Sequence, residues 1–203
     1  MRVHLASRNA KKLGELDRIL GPLMPGLDVV GLDDVAFYAE PIEDGATFAD
    51  NALIKARAGF AATGMATVAD DSGLCVDALN GMPGVLSARW AGPPLELDHR
   101  TADARNNELV LAQLADVPHE CRGAAFVCVI AYVDAGREIV VNGEMRGSIR
   151  REVSGEGGFG YDPLFEPDAA RGRTSAELTP AEKDAISHRG HALRALAAAL
   201  AEG

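Results

Sequence analysis

The stretch Ala69-Asp70-Asp71-Ser72-Gly73 places two adjacent carboxylates directly after a short apolar run. That run, residues 66–69, is partly β-branched and precedes a Ser-Gly turn signal, which predicts a buried strand that gives way to a loop. In α/β sheets, ligands usually bind at the carboxyl ends of strands. Two carboxylates there can hold a hard divalent cation, or one of them can orient a water. The alternative is an ordinary turn or cap, because Asp-Ser-Gly is common turn chemistry.

Strand and helix patterns alternate on both sides of this stretch, and two long strand patterns follow late in the chain. This order predicts an α/β fold with an antiparallel ribbon inserted near its end. The predicted strands are residues 3–6, 27–32, 66–69, 74–79, 122–133 and 138–149, and the predicted helices are a segment that ends at Gly21-Pro22, then 48–63, 98–115 and 191–201.

Composition limits the function classes. The chain has 203 residues and a net charge of −10, which suits one substantial domain or two closely packed lobes and argues against a nucleic-acid polymer as the partner. A small polyphosphate needs only a few local cations and a metal. No apolar run approaches the roughly 18–20 residues of a membrane span, and the N-terminus lacks a signal-peptide pattern, so we expect a cytoplasmic protein without a membrane partner. Cys75, Cys121 and Cys128 lack CxxC spacing, and we expect buried free thiols.

The loop Ser7-Arg8-Asn9-Ala10-Lys11-Lys12 connects the first strand to the first helix. Backbone N–H groups at a helix N-terminus attract phosphate, and the two lysines add positive charge. The loop lacks the glycines of a Walker motif, so it is not a P-loop. A helix cap with solvated lysines is the alternative.

The segment Ser154-Gly155-Glu156-Gly157-Gly158-Phe159-Gly160-Tyr161-Asp162-Pro163 matches GxGxxG at residues 155–160. It follows a β-ribbon, and Asp162-Pro163 prevents an immediate helix, which excludes the dinucleotide-binding interpretation. A glycine-rich loop that approaches a ligand remains, and Phe159 and Tyr161 could stack on a base. Alternatively, both aromatic rings anchor a hairpin exit in the core.

Near the C-terminus, Thr179-Pro180-Ala181-Glu182 forms a capping box that predicts a helix start. Lys183 lies in the first turn of that helix, where the helix dipole disfavours a cation, so a ligand contact becomes a reasonable interpretation. His188 and His191 have HxxH spacing without a third metal ligand, so we expect a solvated or base-contacting His188.

Taken in order, five stretches closely resemble the inosine triphosphate pyrophosphatase (HAM1-like, dITP/XTP pyrophosphatase) family. The resemblance implies a single domain over residues 1–203, with an elongated, twisted mixed β-sheet, flanking helices, and two lobes around a central nucleotide cleft. It implies hydrolysis of ITP, dITP or XTP to the monophosphate and pyrophosphate, a requirement for Mg²⁺, and a homodimer. The five stretches are residues 7–12, 47–52, 69–74, 157–163 and 187–190.

The resemblance also implies residue roles, by matching positions. Asp71 matches the catalytic carboxylate that also binds the metal, and Glu43 matches an upstream metal-associated acid, with Glu40 and Asp44 as competitors. Arg8 departs from the glycine of many relatives. The matched substrate contacts are Ser7, Arg8, Asn9, Ala10, Lys11 and Lys12 for the triphosphate, Ser72, then Phe159, Gly160, Tyr161 and Asp162 for the nucleoside, and Lys183, His188 and Arg189 around the base and phosphates.

These assignments predict a mechanism and two alternatives to it. We expect a metal-polarised water, oriented by Asp71, to cleave near the α–β linkage, with Asp70 in a supporting role. Donors from Lys183, His188 or Arg189 would favour the 6-keto group of the base. The alternatives are a Maf-like pyrophosphatase that acts on pyrimidine or modified nucleotides, and a non-catalytic nucleotide-binding module.

Overall fold

The computed structural model describes residues 1–7, 9–93 and 98–202, with the side chains of Ala10 and Lys11 left outside the description. Within these residues it contains six strands and five α-helices. The strands are β1 (Arg2–Leu5), β2 (Asp28–Val30), β3 (Thr67–Val76), β4 (Gly123–Val133), β5 (Glu138–Ile149) and β6 (Phe165–Pro167), and the helices are α1 (Ala10–Leu23), α2 (Phe48–Thr63), α3 (His99–Gln113), α4 (Pro180–Ile186) and α5 (His188–Ala201).

The six strands form one mixed sheet in the order β2-β1-β3-β4-β5-β6. β1 pairs in parallel with both β2 and β3, whereas β5 and β6 are antiparallel. The turn between β4 and β5 is fixed by Asp134, whose side chain accepts hydrogen bonds from the N–H groups of Gly136 and Arg137. The predicted α/β class, with helices beside a mixed sheet, is confirmed.

The chain divides into two compact units. Unit 1 comprises Met1–Asp71, Cys128–Gly143 and His188–Gly203, and unit 2 comprises Ser72–Val127 and Glu144–Ser187. Each unit has its own apolar core. In unit 1, Val3, Leu5 and Val68 of the sheet pack with α1 and α5, and in unit 2, Leu74 and Phe126 pack with α3.

The helix over residues 48–63 begins and ends where the sequence predicts. Thr47 caps its N-terminus through a capping box with Asp50, and Gly64 ends it in the left-handed conformation at φ +68°. A Gly at this position avoids the steric cost that a side chain would bring. No helix among the described residues is both long and apolar enough to span a bilayer.

Several sequence-based boundaries were wrong. Helix α1 continues past Gly21-Pro22 to Leu23, and residues 77–79 form a short 3-10 turn instead of the end of a strand. The acidic doublet does not follow a strand, because β3 is continuous from Thr67 to Val76 and carries Asp70 and Asp71 in its middle. The neighbouring strand β1 ends at Leu5, so the doublet lies just beyond the end of the parallel pair. The last helix starts at His188 rather than at residue 191, since Ser187 alone separates it from α4.

The cysteines are free, as predicted, but they differ in burial. Cys128 is fully buried, Cys75 is partly buried and Cys121 is exposed. The expectation of a buried thiol was therefore wrong for Cys121, which lies in a short turn ahead of β4 rather than in a strand.

Candidate functional site

Asp70 is bound by cations from two helices of unit 1. Lys12 of α1 places its Nζ 2.9 Å from Asp70 Oδ2, and Arg189 of α5 places its Nη2 3.2 Å from the same oxygen. Arg189 also donates from Nη1 to Glu15 Oε2 at 2.6 Å. We call Asp70, Glu15, Lys12 and Arg189 the Asp70 cluster. It holds two carboxylates and two cations, so its formal charge is balanced.

This balance determines the protonation state of Asp70. Burial alone would raise the pKa of Asp70, but the nearby charges of Lys12 and Arg189 hold that pKa well below its ordinary range. The Cys128 thiol donates to Asp70 Oδ2 at 3.9 Å, and burial followed by the charge of Asp70 raises the pKa of this thiol to about 12. Asp70 is therefore a permanently charged anchor for Lys12 at neutral pH.

Asp71 is the next residue on β3, and successive strand residues point to opposite faces of a sheet. Its partners come from α2. Asn51 Nδ2 donates to Asp71 Oδ2 at 3.0 Å, and Lys55 Nζ lies 3.6 Å from Asp71 Oδ1. Lys55 also donates to Glu43 Oε2 at 3.1 Å. We call Asp71, Glu43, Asn51 and Lys55 the Asp71 cluster.

The Asp71 cluster has two carboxylates and only one cation. Burial raises the pKa of Asp71, and Lys55 and Asn51 offset only part of this effect. For Lys55, burial alone would lower the pKa, but the charges of Asp70, Asp71 and Glu43 together raise it. The cluster thus combines a lysine that stays protonated with a carboxylate that is under-compensated, which is the electrostatic signature of a site that accepts further positive charge.

A glycine positions the acidic segment ahead of α2. The Gly45 N–H donates to Asn51 Oδ1 at 2.8 Å, and a Cβ at Gly45 would lie 2.7 Å from this oxygen. The hydrogen bond to Asn51 fixes the position of Gly45, and Glu43, two residues earlier, lies beside Lys55. Glu40 and Asp44, the two other candidate acids, are exposed. Of the three, Glu43 is the one with a described contact to the Asp71 cluster.

The loop before α1 is organised as a helix cap. Asn9 Oδ1 accepts the N–H of Lys12, and the N–H of Asn9 donates to Ser7 Oγ. This leaves Ser7, Asn9 and Lys12 at the N-terminus of a 14-residue helix. Arg8 lies outside the described residues, and so do the side chains of Ala10 and Lys11, so their predicted contacts stay predictions.

In unit 2, a second ion pair organises the glycine-aromatic segment. Asp162 Oδ2 accepts hydrogen bonds from the Phe159 N–H at 2.8 Å and from Lys183 Nζ at 2.5 Å. Lys183 Nζ also lies 5.0 Å from the centroid of the Phe159 ring. Gly158 has φ +71°, and a Cβ there would collide with Asp162 Oδ2. The buried carboxylate explains the cation near the start of α4.

Helix α3 holds the same segment from its other side. The Gly160 N–H donates to Asp103 Oδ2 at 2.7 Å, and the Gly160 carbonyl accepts from Asn107 Nδ2 at 3.0 Å. Tyr161 is 4 % exposed and donates its hydroxyl to the Ser87 carbonyl. Phe159 is partly exposed, so it is the aromatic ring of this pair that solvent reaches.

The remaining predicted contacts lie in or beside these clusters. His188 and Arg189 occupy the first turn of α5 and are buried, which excludes a solvated His188 and leaves its contact with a base as a prediction. Ser72 follows Asp71 on β3 and is partly buried.

Sequence reasoning missed Glu15, Asn51 and Lys55. For Asn51 and Lys55 of α2, the helical spacing was a usable signal. Both residues fall in the stripe of small residues that α2 buries, which includes Ala52, Ala56 and Gly59. A charged residue in a buried stripe requires a partner. What the spacing could not supply was the identity of that partner on another element.

Comparison with known proteins gives consistent results. The sequence model described as the Ham1 family matches residues 3–199. The chain is 62 % identical over 202 residues to a dITP/XTP pyrophosphatase of Nocardia farcinica, covering 98 % of this chain and 95 % of the relative. A crystal structure of a nucleoside-triphosphatase / dITP/XTP pyrophosphatase from Mycobacterium abscessus is similar at 58 % identity and a TM-score of 0.75, covering 97 % and 98 % of the two chains. A HAM1 protein from Coxiella burnetii matches at 39 % identity and a TM-score of 0.87 over 100 % of both chains.

Proposed function

The chain belongs to the Ham1 family, and we propose that it hydrolyses the non-canonical purine nucleoside triphosphates dITP, ITP and XTP to the nucleoside monophosphate and pyrophosphate. The observation that carries this proposal is the Asp71 cluster, in which two carboxylates share a single lysine. A surplus carboxylate suits a substrate that brings a divalent cation together with its phosphates. The relatives named dITP/XTP pyrophosphatase support the substrate class.

We propose Mg²⁺ as the cation and Glu43 and Asp71 as its protein ligands. Among the described residues, no group of three or more His, Cys, Asp or Glu side chains is arranged to hold a metal. Magnesium in nucleotide enzymes typically binds one or two carboxylates together with substrate phosphates and water, so two acidic side chains fit the requirement. When bound, the ion would neutralise phosphate charge and polarise an attacking water.

The remaining steps belong to the protein's own side chains. Ser7, Asn9 and Lys12 bind the triphosphate at the start of α1, where Asp70 keeps the Lys12 ammonium in place. Asp71 orients the water and accepts its proton as the water oxygen bonds to phosphorus and the α–β linkage breaks. Pyrophosphate leaves with the electron pair of the bridging oxygen. Asn51 and Lys55 hold the Asp71 carboxylate in position for this step.

We propose that unit 2 recognises the nucleoside. Phe159 stacks on the base, and Lys183 donates to its 6-keto oxygen. An ammonium has three N–H donors, and Asp162 accepts one of them while Phe159 faces the same group. An adenine amino group at that position would leave the lysine donor unpaired, a mismatch of about 1–3 kcal/mol. His188 and Arg189 remain in the proposed set of contacts, and the active assembly is proposed to be a homodimer.

The test is a pyrophosphate-release assay with the full chain and a panel of ITP, XTP, dITP, ATP, UTP and dUTP, with Mg²⁺ and with a chelator. We expect at least about tenfold faster release from ITP and XTP than from ATP, in line with one mismatched hydrogen bond, and no release with the chelator. Asp71→Asn should slow release by about 10³-fold, whereas Asp17→Asn, at an exposed position of α1, serves as the matched control.

Each alternative function has its own signature in this assay. Faster release from UTP or dUTP than from ITP would identify a Maf-like pyrophosphatase. Nucleotide binding without pyrophosphate release at any metal concentration would identify a binding module. Equal rates for ATP and ITP would refute the role of Lys183 in selectivity. Light scattering tests the dimer, and a mass equal to one chain would refute it.

A further inference from the structure

Two side chains of helix α2 contact the two oxygens of the Asp71 carboxylate. Asn51 and Lys55 are four residues apart and therefore lie on the same helix face. Asn51 Nδ2 donates a hydrogen bond to Asp71 Oδ2 at 3.0 Å, and Lys55 Nζ lies 3.6 Å from Asp71 Oδ1. The same ammonium lies 3.1 Å from Glu43 Oε2. The cation between the two acids is thus part of the chain itself.

The position of Lys55 is well shielded from water. Its side chain is 15 % exposed and that of Asp71 is 13 % exposed, while Glu43 is 37 % exposed. Charges in such surroundings interact more strongly than at an open surface, because little water screens them. Among the described residues, Lys12 and Arg189 contact Asp70 rather than Asp71, and the charge of Lys12 acts on Asp71 without a direct contact.

An ammonium and a divalent ion compete for the same two acids. Mg²⁺ needs carboxylate oxygens at about 2.0–2.1 Å, and Lys55 already engages an oxygen of Glu43 and an oxygen of Asp71. A metal that bound Glu43 and Asp71 with Lys55 in place would add two positive charges beside a buried third one. The acids supply only two negative charges, so the three charges would be poorly compensated. A triphosphate supplies the missing negative charge and offers Lys55 new oxygen partners.

We propose that Lys55 is a built-in counter-ion that keeps the divalent metal off Glu43 and Asp71 until the nucleotide arrives, so that metal and substrate bind together. This inference rests on the proposed function in one respect, namely that Glu43 and Asp71 are the metal ligands. It assigns Lys55 a positioning and gating role that is separate from the hydrolytic step. Its consequence is that removal of the ammonium should strengthen metal binding while it weakens turnover.

The test measures Mn²⁺ binding to the nucleotide-free full chain by electron paramagnetic resonance. We expect weak binding by the wild-type protein and at least about tenfold tighter binding by Lys55→Met, because an uncompensated pair of acids remains. Lys55→Arg retains the charge and should bind Mn²⁺ as weakly as the wild type. The matched control is Arg57→Met, which removes one positive charge from the same helix but from an exposed pair with Glu138, so its Mn²⁺ affinity should equal that of the wild type.

A double variant identifies the location of the metal. Glu43→Gln in the Lys55→Met background should restore weak Mn²⁺ binding. If Lys55→Met does not fold, as judged by circular dichroism, Lys55→Gln replaces it with the same expectation. Equal affinities of Lys55→Met (or its Gln substitute) and Arg57→Met would overturn the inference, and so would tight binding that survives Glu43→Gln.

Failure of this inference is distinguishable from failure of the proposed function. The titrations contain no nucleotide, so they report on metal binding by Glu43 and Asp71 in the presence or absence of the Lys55 charge, and not on hydrolysis. Absence of pyrophosphate release by the wild-type protein would refute the proposed function without changing the Mn²⁺ affinities. Conversely, if the wild-type protein releases pyrophosphate and Lys55→Met binds Mn²⁺ no more tightly than the wild type, only the counter-ion role is refuted.

Discussion

The two faces of strand β3 carry neighbouring aspartates with opposite electrostatics. Asp70 meets two cations, Lys12 and Arg189, and its pKa is lowered, whereas Asp71 shares Lys55 with Glu43, and its pKa is raised. The Asp70 cluster is balanced and the Asp71 cluster has one negative charge in surplus. The difference teaches that a fully compensated carboxylate serves as an anchor, while an under-compensated one is suited to a reaction or to a metal.

The largest effect should come from Asp71→Asn. We expect turnover of ITP to fall by about 10³-fold, within the range for loss of a general base. Stability should not fall, because the buried charge that is removed is an unfavourable one, as its raised pKa indicates. Initial rates of pyrophosphate release and a thermal melt in metal-free buffer measure both quantities. A variant that keeps near-normal turnover would show that Asp71 is not the base.

Asp70→Asn should lower the free energy of unfolding, in contrast to Asp71→Asn. The neutral amide removes the buried counter-charge of Lys12 and leaves Arg189 with Glu15 alone, which costs about 3 kcal/mol of unfolding free energy. Urea denaturation at pH 7 is the measurement, with Asp17→Asn as the exposed control on α1. Equal stability of the Asp70→Asn protein and the wild type would mean that the Asp70 cluster is not an anchor.

Asn51→Ala tests the link between the acidic segment and the catalytic face. The change leaves the Gly45 N–H and Asp71 Oδ2 without their amide partner, and we expect a loss of about 2 kcal/mol in unfolding free energy. Turnover should also fall, with a larger effect on kcat than on KM, because the phosphate-binding loop is untouched. Asn142→Ala, at an exposed position of β5, is the control and should match the wild type.

The smallest effect is a pH dependence that belongs to Asp70. Its pKa is lower in the folded chain than in the unfolded chain, so its contribution to stability is complete above the ordinary aspartate pKa of about 3.9 and is lost as pH falls towards the folded value. The stability gap between the wild type and Asp70→Asn should therefore stay constant from pH 7 to 5 and narrow below about pH 4. A gap that widens on acidification would contradict the assigned sign of the shift.

Local sequence signals predicted the elements well where one residue type has one conformational role. The helix over residues 48–63 was predicted with its observed bounds, because the Thr47 capping box and the left-handed Gly64 that delimit it each act within a few residues. The predicted boundaries were wrong where pairing with a neighbouring element determines how far a strand or helix extends. β3 continues through its acidic doublet although a Ser-Gly pair suggested a turn.

The candidate site divides in the same way. The family motifs identified Lys12, Glu43, Asp71, Asp162 and Lys183 from the sequence, and these residues all lie in the described clusters. Glu15, Asn51 and Lys55 were missed because a partner's identity depends on which helix packs beside which strand. The same limit applies to Tyr161, since nothing in its spacing distinguishes a stacking ring from one that donates to Ser87 in the core.

The sequence by itself determined the α/β class, the family, the acidic doublet and the residue types available for phosphate and base. Only the tertiary structure decided that Asp70 and Asp71 have different partners, because side-chain alternation along β3 places the two carboxylates on different faces of the sheet. It also decided which acid is compensated, since α1 and α5 bring two cations to Asp70 while α2 brings one to Asp71. Charge balance depends on distance in three dimensions, and spacing along a chain does not encode it.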